Sequence, residues 1–382
     1  MKKLQNIGRI GRFFTSGETL LGPNALAGLA RLTVNRAVVV VSPSVWSRHQ
    51  EYISKCLSRL SIEVFEAPKG EPTSKNALQL ARQFKHFSPD IVIAIGGGSV
   101  IDVAKLAWVL FEKPEMQLET NQVIFPVSNL RSKSTGFVAV PTTYGSGSEN
   151  SSAAVFQHGE GKQKNFLVGP ELLPDIAVLD PALAMGLPVS VAAFGIMDTL
   201  AHAIEGYVSK ASNEAIRQLA IGSLGPLRAQ LRAKPLPELI DDQVAVNRFM
   251  TSAAFAGAVQ NIANPGLAHS LSHYCAMFGV NHGQGCGYFL PLSIRYNKQD
   301  DTVSEAYNRL AQEMGFTDQT DLLRWLDELV AEFGLAKGIP SVASLKDQID
   351  HEIFFADPTI NTNPVPINLE TVFELMEAPN AV

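Results

Sequence analysis

The chain has 382 residues, 46% of them hydrophobic and 18% charged, so it can bury sizeable cores and is not a disordered segment. That length exceeds one ordinary core, and two domains are expected. A net charge of −6 with no basic stripe argues against nucleic acid as a partner.

In chain order, residues 1–14 are polar and basic and lack the apolar core of a secretory signal. Residues 37–41 are a continuous run of apolar, mostly β-branched residues and read as a buried strand. An amphipathic helix is expected over 47–60 and a second strand over 62–66. Residues 73–86 have helical spacing, opened by a cap at Thr73 or Ser74. A third buried strand, 91–95, runs into Gly96-Gly97-Gly98-Ser99, and a helix follows over 100–111. The glycines, Asp102 and Lys105 interrupt this longest apolar stretch, so it does not span a membrane. Residues 137–140 form a further strand. This alternation predicts an α/β domain, a parallel sheet with helices on both faces. From residue 189 the pattern turns helical, over 189–209, 214–232 and 241–259, with further helices to 332. The boundary is placed within 180–188, giving a nucleotide-binding domain over 1–184 and an all-helical domain over 185–382. Residues 357–366 read as a loop before a short terminal helix.

The strand–glycine turn–helix at 91–105 suits a phosphate, or is a plain tight βα turn. Gly96, Gly97 and Gly98 let backbone approach a ligand without a Cβ in the way, and the helix start offers free N–H groups. Asp102 can cap this helix or hydrogen-bond a ribose. The GxGxxG fingerprint is absent. A second polar turn, 141–149, carries Thr142, Thr143 and Ser146 beyond another strand, on the edge where open α/β sheets bind ligands; taken alone it equally reads as a flexible surface loop.

Four of the eight histidines fall between His202 and His282. Asp198 and His202 are four residues apart on one helix, so both side chains share a face. His269 and His273 repeat that spacing, and His282 follows after a turn at 278–281. Asp and His donors together suit a borderline divalent ion such as Fe²⁺ or Zn²⁺. Each pair taken alone also suits a surface hydrogen bond or a core histidine. Cys56, Cys275 and Cys286 form neither a disulfide framework nor a CxxC pair, which fits a reducing compartment; a cytoplasmic protein with no membrane partner is expected.

These segments resemble those of the iron-dependent (group III) alcohol dehydrogenases. GGGSVIDVAK at 96–105 is similar to the family's pyrophosphate turn, and PTTYGSGSE at 141–149 to its PTTxGxGSE motif. GIMDTLAHAIEGYVS at 195–209 looks like its first metal helix, and AHSLSHYCAMFGVNHG at 268–283 like its histidine segment. The resemblance spans most of the chain in the family's order. It implies a dehydroquinate synthase-like architecture, with a metal between a nucleotide-binding domain and a helical domain. It further implies Asp198, His202, His269 and His282 as ligands, His273 as a non-ligand histidine near the nicotinamide, and cofactor contacts from Gly96, Gly97, Gly98, Ser99, Asp102, Thr142, Thr143, Ser146 and Lys164.

Three departures stand out. The spacing from His269 to His282 is one residue shorter than usual, Asn281 replaces a proline, and Ser42 stands where NAD-preferring members often carry Asp. Ser42 removes a carboxylate that would repel a 2′-phosphate, so NADP is open beside NAD. The expected protein is a homodimeric, Fe²⁺-dependent (alternatively Zn²⁺-dependent) aldehyde reductase for small alcohols and aldehydes. The rival readings are a dehydroquinate-synthase-like or glycerol-dehydrogenase-like enzyme and a non-catalytic nucleotide-binding protein. Phe255, Asn264, Tyr274 and Phe278 are the candidate pocket residues.

Overall fold

A computed structural model describes residues 15–118, 124–126, 135–157 and 164–377. Residues 1–14, read above as lacking a signal, lie outside the described residues. The first half contains β1 (Glu18–Leu21), β2 (Arg36–Val41), α1 (Pro43–Cys56), β3 (Ser61–Glu66), α2 (Ser74–Phe87), β4 (Ile91–Gly96), α3 (Gly98–Glu112), β5 (Ile124–Pro126), β6 (Gly136–Pro141), β7 (Ala153–Gln157), β8 (Lys164–Val168) and β9 (Ile176–Leu179). Six strands form one sheet in the order β1–β9–β6–β4–β2–β3, and every pairing in it is parallel.

The apolar run of β4 is explained by cover on both faces. Val92 and Ala94 join the core beneath α2 and α3, while Ile91, Ile93 and Ile95 join the core beneath α1. A strand buried on two sides has no polar face to alternate with. Strand β2 is flanked by β3 on one side and β4 on the other, so the chain reverses direction across the sheet between β2 and β4. Ligands bind outside the carboxyl ends at such a switch point. Val41 pairs with Ile95, which sets Ser42 beside Gly96 at that crevice.

Local chemistry moved some boundaries. Pro43 occupies the first turn of α1, so this helix starts four residues before its expected start at 47. Thr73 caps α2 by accepting from the Asn76 N–H, as expected. A small second sheet, β5–β8–β7, has no counterpart in the sequence reading; β7 and β8 pair antiparallel.

The second half is helical: α4 (Val189–Val208), α5 (Glu214–Ala233), α6 (Leu236–Leu239), α7 (Gln243–Ala263), α8 (Leu267–Cys275), α9 (His282–Asn297), α10 (Asp301–Glu313), α11 (Gln319–Glu332), α12 (Val342–Gln348), α13 (His351–Ala356), α14 (Pro358–Thr362) and α15 (Leu369–Glu377). No helix among the described residues is long and apolar enough to cross a membrane. Helix α4 is buried along almost its whole length, so the side chains it carries inward face protein or the cleft and not bulk solvent. Asp357 caps α14 by accepting from the Thr359 N–H, which makes a helix of part of the stretch expected to be loop.

Glycines seam the two halves. A Cβ on Gly145 would lie 2.7 Å from Gly195 Cα of α4, and one on Gly257 of α7 would lie 2.7 Å from both Cα and O of Gly147. The loop after β6 therefore touches α4 and α7 backbone to backbone. Gly147 also has φ +61°, which other residues rarely adopt.

Candidate metal centre and cofactor cleft

Helices α4, α8 and α9 each bring imidazoles to one point. Asp198 and His202 project from the same face of α4, His269 from α8, and His282 from the first residue of α9. Asp198 Oδ1 lies 3.8 Å from His202 Nε2, 3.7 Å from His269 Nε2 and 3.8 Å from His282 Nε2. Asp198 Oδ1 and His269 Nε2 are buried with no hydrogen-bond partner. Buried polar atoms are ordinarily satisfied. Four donors of these types, at metal–ligand distances of about 2.0–2.2 Å, would stand roughly 3.4 Å apart around a tetrahedral ion. The separations from Asp198 Oδ1 are close to that, which suits a divalent cation; Asp198, His269, His282 and Cys286 each also offer a donor atom within 4.8 Å of the others.

Neighbouring bonds aim the rings. His269 Nδ1 lies 2.8 Å from Glu205 Oε2, and Glu205 also accepts from the N–H groups of Gly266 and Ala268 and from Ser293 Oγ. With Nδ1–H donated to a carboxylate, Nε2 presents its lone pair to the cluster. Ser272 Oγ donates to the His282 carbonyl, which leaves the hydroxyl able to accept from His282 Nδ1 at 3.1 Å. Asn281 caps α9 by accepting from the Gly283 N–H, so the residue standing in place of the family's proline itself starts the helix. Gly279, at φ +81°, closes the turn before it.

Electrostatics suit ligation at Asp198, His202 and His282, whereas His269 has to give up a proton to bind an ion. Burial opposes charge on Asp198, but His202, His269 and His282 outweigh it and hold the carboxyl well below the usual range. Burial lowers His202 to about 4 and His282 well below its ordinary value, keeping both neutral. At His269 burial again opposes charge, yet Cys286, Asp198 and Glu205 raise its pKa well above the usual value.

One cavity of about 620 Å³ runs from this cluster to the glycine turn, lined by Gly97, Gly98, Ser99, Thr143, Ser146 and Lys164 at its nucleotide side. A second, of about 540 Å³, adjoins it and is lined by Ser42, Lys69 and Ser99 among others. Gly96 and Thr142 line neither cavity: a Cβ on Gly96 would meet Val100 at 2.6 Å, and the Thr142 N–H bonds the Gly96 carbonyl. Asp102 lines the cavity but caps nothing. It accepts from the Val155 N–H of β7, tying α3 to the small sheet. Lys164 is ion-paired with Glu71 at 3.1 Å on the cavity wall. Of the guessed pocket residues only Asn264 lines the cavity. Phe255 and Phe278 are exposed, and Tyr274 donates to the Asp350 carbonyl.

His273 is not among the converging donors. Its ring stacks on His282 and its Nδ1 lies 2.6 Å from Asp357 Oδ2. Asp357 is buried and is itself held by Thr359 N and Oγ1. Sequence reading missed this aspartate, because nothing in a Pro- and Asn-rich stretch says where it docks; it also missed Glu205 on α4 and Cys286 on α9.

The profile of iron-containing alcohol dehydrogenases matches residues 16–181, and that of the Fe-containing alcohol dehydrogenase family's C-terminal region matches 192–379. The chain belongs to the iron-containing alcohol dehydrogenase family. It is 30% identical to an alcohol dehydrogenase of Thermococcus barophilus, over 95% of this chain and 97% of that one. It is 27% identical to the NADPH-dependent butanol dehydrogenase of Clostridium saccharobutylicum, over 96% and 97%. Its fold is similar to that of the iron-containing alcohol dehydrogenase of Thermococcus thioreducens, with a TM-score of 0.83 at 28% identity, covering 95% of this chain and 98% of that one. Family membership makes the chain an oxidoreductase, an alcohol dehydrogenase, and implies a metal, a nicotinamide cofactor and small alcohol or aldehyde substrates.

Proposed function

We propose that the chain reduces small aldehydes to alcohols, and runs the reverse reaction, with a divalent ion held by Asp198, His202, His269 and His282. The observation that carries this reading is the placing of three imidazole Nε2 atoms within 3.8 Å of one carboxylate oxygen, at the wall of a cavity that also reaches the glycine turn. The metal, Fe²⁺ in the first instance and Zn²⁺ in the second, supplies Lewis-acid polarisation of the substrate oxygen when bound. The nicotinamide supplies the hydride acceptor or donor.

The chain's own residues position and protonate. Gly97, Gly98 and Ser99 present backbone to the pyrophosphate at the start of α3. Lys164, Thr143 and Ser146 border the same cavity and would hold the cofactor there. His273 gives Nδ1–H to Asp357, so Nε2 is the basic nitrogen. It is there that a proton is delivered to the nascent alcohol oxygen, or taken from it. Val191, Phe194 and Phe166 supply the apolar part of the wall, which suits a small, weakly polar substrate.

Two experiments test the reading. Asp198→Ala and His282→Ala are expected to lose bound metal and aldehyde reduction together, measured by elemental analysis and NAD(P)H oxidation. A variant that keeps both refutes the ligand assignment. For the nucleotide, the proposal is NADP(H): Ser42 brings no carboxylate to the adjoining cavity, Lys69 lines it, and the Glu71 carboxylate there is paired with Lys164. Ser42→Asp is expected to lower kcat/KM for NADPH relative to NADH by about tenfold, since two like charges about 4 Å apart cost roughly 1–4 kcal/mol between water and a protein surface. An unchanged ratio rejects that choice.

A further inference from the structure

The two cavities share four lining residues, Glu71, Ser99, Val100 and Asn281, which mark the passage from the imidazole cluster to the side that holds Ser42. Three of them belong to the sheet half. Asn281 comes from the helical half, in the turn before α9, and borders the same passage. A dinucleotide laid from the nicotinamide side past Ser99 toward Ser42 carries its pyrophosphate through here. None of the four residues is a cation, and the Glu71 carboxylate is already paired with Lys164 at 3.1 Å. Asn281 has half of its exposed carboxamide to spare. Its Oδ1 accepts from the Gly283 N–H at 3.1 Å and caps α9. Because the oxygen has to face that N–H, the amide nitrogen, with two hydrogens to donate, is the atom left over, and it has no partner among the described residues.

The geometry points to Asn281 as a cofactor-binding residue, whose Nδ2 donates to a pyrophosphate oxygen while its Oδ1 keeps the helix cap. One side chain then holds the dinucleotide from the helical half and also starts the helix that carries His282. A proline side chain, usual at this place in the family, offers neither group. This rests on the cofactor reading proposed above and is independent of the metal ligands.

The probe is ADP, which carries the pyrophosphate without a nicotinamide and is not turned over. Full-length wild type and variants are titrated with it by calorimetry, with metal content and melting temperature measured alongside. Asn281→Ser and Asn281→Asp both keep an oxygen that can cap α9, so metal content and melting temperature should match wild type. Both lose the amide donor. Asn281→Ser is expected to raise the ADP dissociation constant roughly tenfold or more, the range for one hydrogen bond to a charged group. Asn281→Asp should raise it further, because a carboxylate then faces phosphate. Wild-type affinity for ADP in either variant overturns the contact and leaves Asn281 a helix cap alone. Weaker ADP binding that comes only with lost metal or a lower melting temperature overturns it too, since the cap explains that result. Wild type that binds no ADP overturns the cofactor reading and this contact together.

Discussion

Asp357 is the side chain whose removal separates orientation from ligation. It holds His273 at 2.6 Å through Nδ1 and touches none of the converging donors. His273→Ala is expected to lower kcat by roughly 10²–10⁴-fold, the range for a positioned acid or base, with metal content unchanged. Asp357→Ala should lower kcat in wild type but have little further effect in the His273→Ala background, because the two act as one unit. Steady-state kinetics on the two single variants and the double variant decide it; additive losses would show that Asp357 acts elsewhere. At this scale the sequence was legible where spacing has a physical meaning. Asp198 and His202 at i, i+4 had to share a helix face, and the structure places them so. Glu205, Asp357 and Cys286 were not legible, because a supporting carboxylate or a buried thiol has no sequence pattern apart from the fold that delivers it.

Among the elements, the loop after β6 and helices α4 and α7 meet through paired glycines, and side chains there would hold them apart. Gly257→Ala would set a methyl 2.7 Å from Gly147 Cα and O, with backbone on both sides and nothing free to swing away. A loss of stability on the order of 1–3 kcal/mol is expected, the usual cost of overpacking, together with a raised KM for the cofactor because Ser146 and Thr143 sit on the displaced loop. Thermal unfolding and cofactor titration measure both; an unchanged melting temperature would mean the seam is loose. Strands β2 and β4 were readable because burial on two faces leaves an unbroken apolar run. Strands β7 and β8 were not, since their short runs carry Asn165, Gln157 and Lys164 and take their place from pairing with each other. Helix α1 began early because a proline that would end a helix elsewhere is favoured in its first turn.

Across the whole molecule, an ionisable cluster lies beneath the cleft. Lys105 is fully buried and donates to the carbonyls of Ser148, Ser151 and Ala153, and burial lowers its pKa to about 8. Burial raises Asp102 to about 6 and Glu149 to about 7. The unfolded chain ionises these two carboxyls near 3.8 and 4.5, so the native state binds more protons between those values and 6 or 7. Their stabilising share is therefore full below the unfolded pKa and is lost as pH rises through the folded one. Relative to wild type, Glu149→Gln should gain stability between pH 4.5 and 7, by on the order of 3 kcal/mol. Denaturant midpoints across that range check it, and parallel curves for the two proteins would reject it.

The proposed metal donors come from α4, α8 and α9, within the helical half, whereas the phosphate turn belongs to the sheet. The two proposed sites therefore stand on separate elements that meet at the glycine seam and share one cavity. On the proposed reading, an ion lost from the helical side leaves the phosphate turn in place, so metal-free protein is expected to bind dinucleotide without turnover, and added ion to restore turnover.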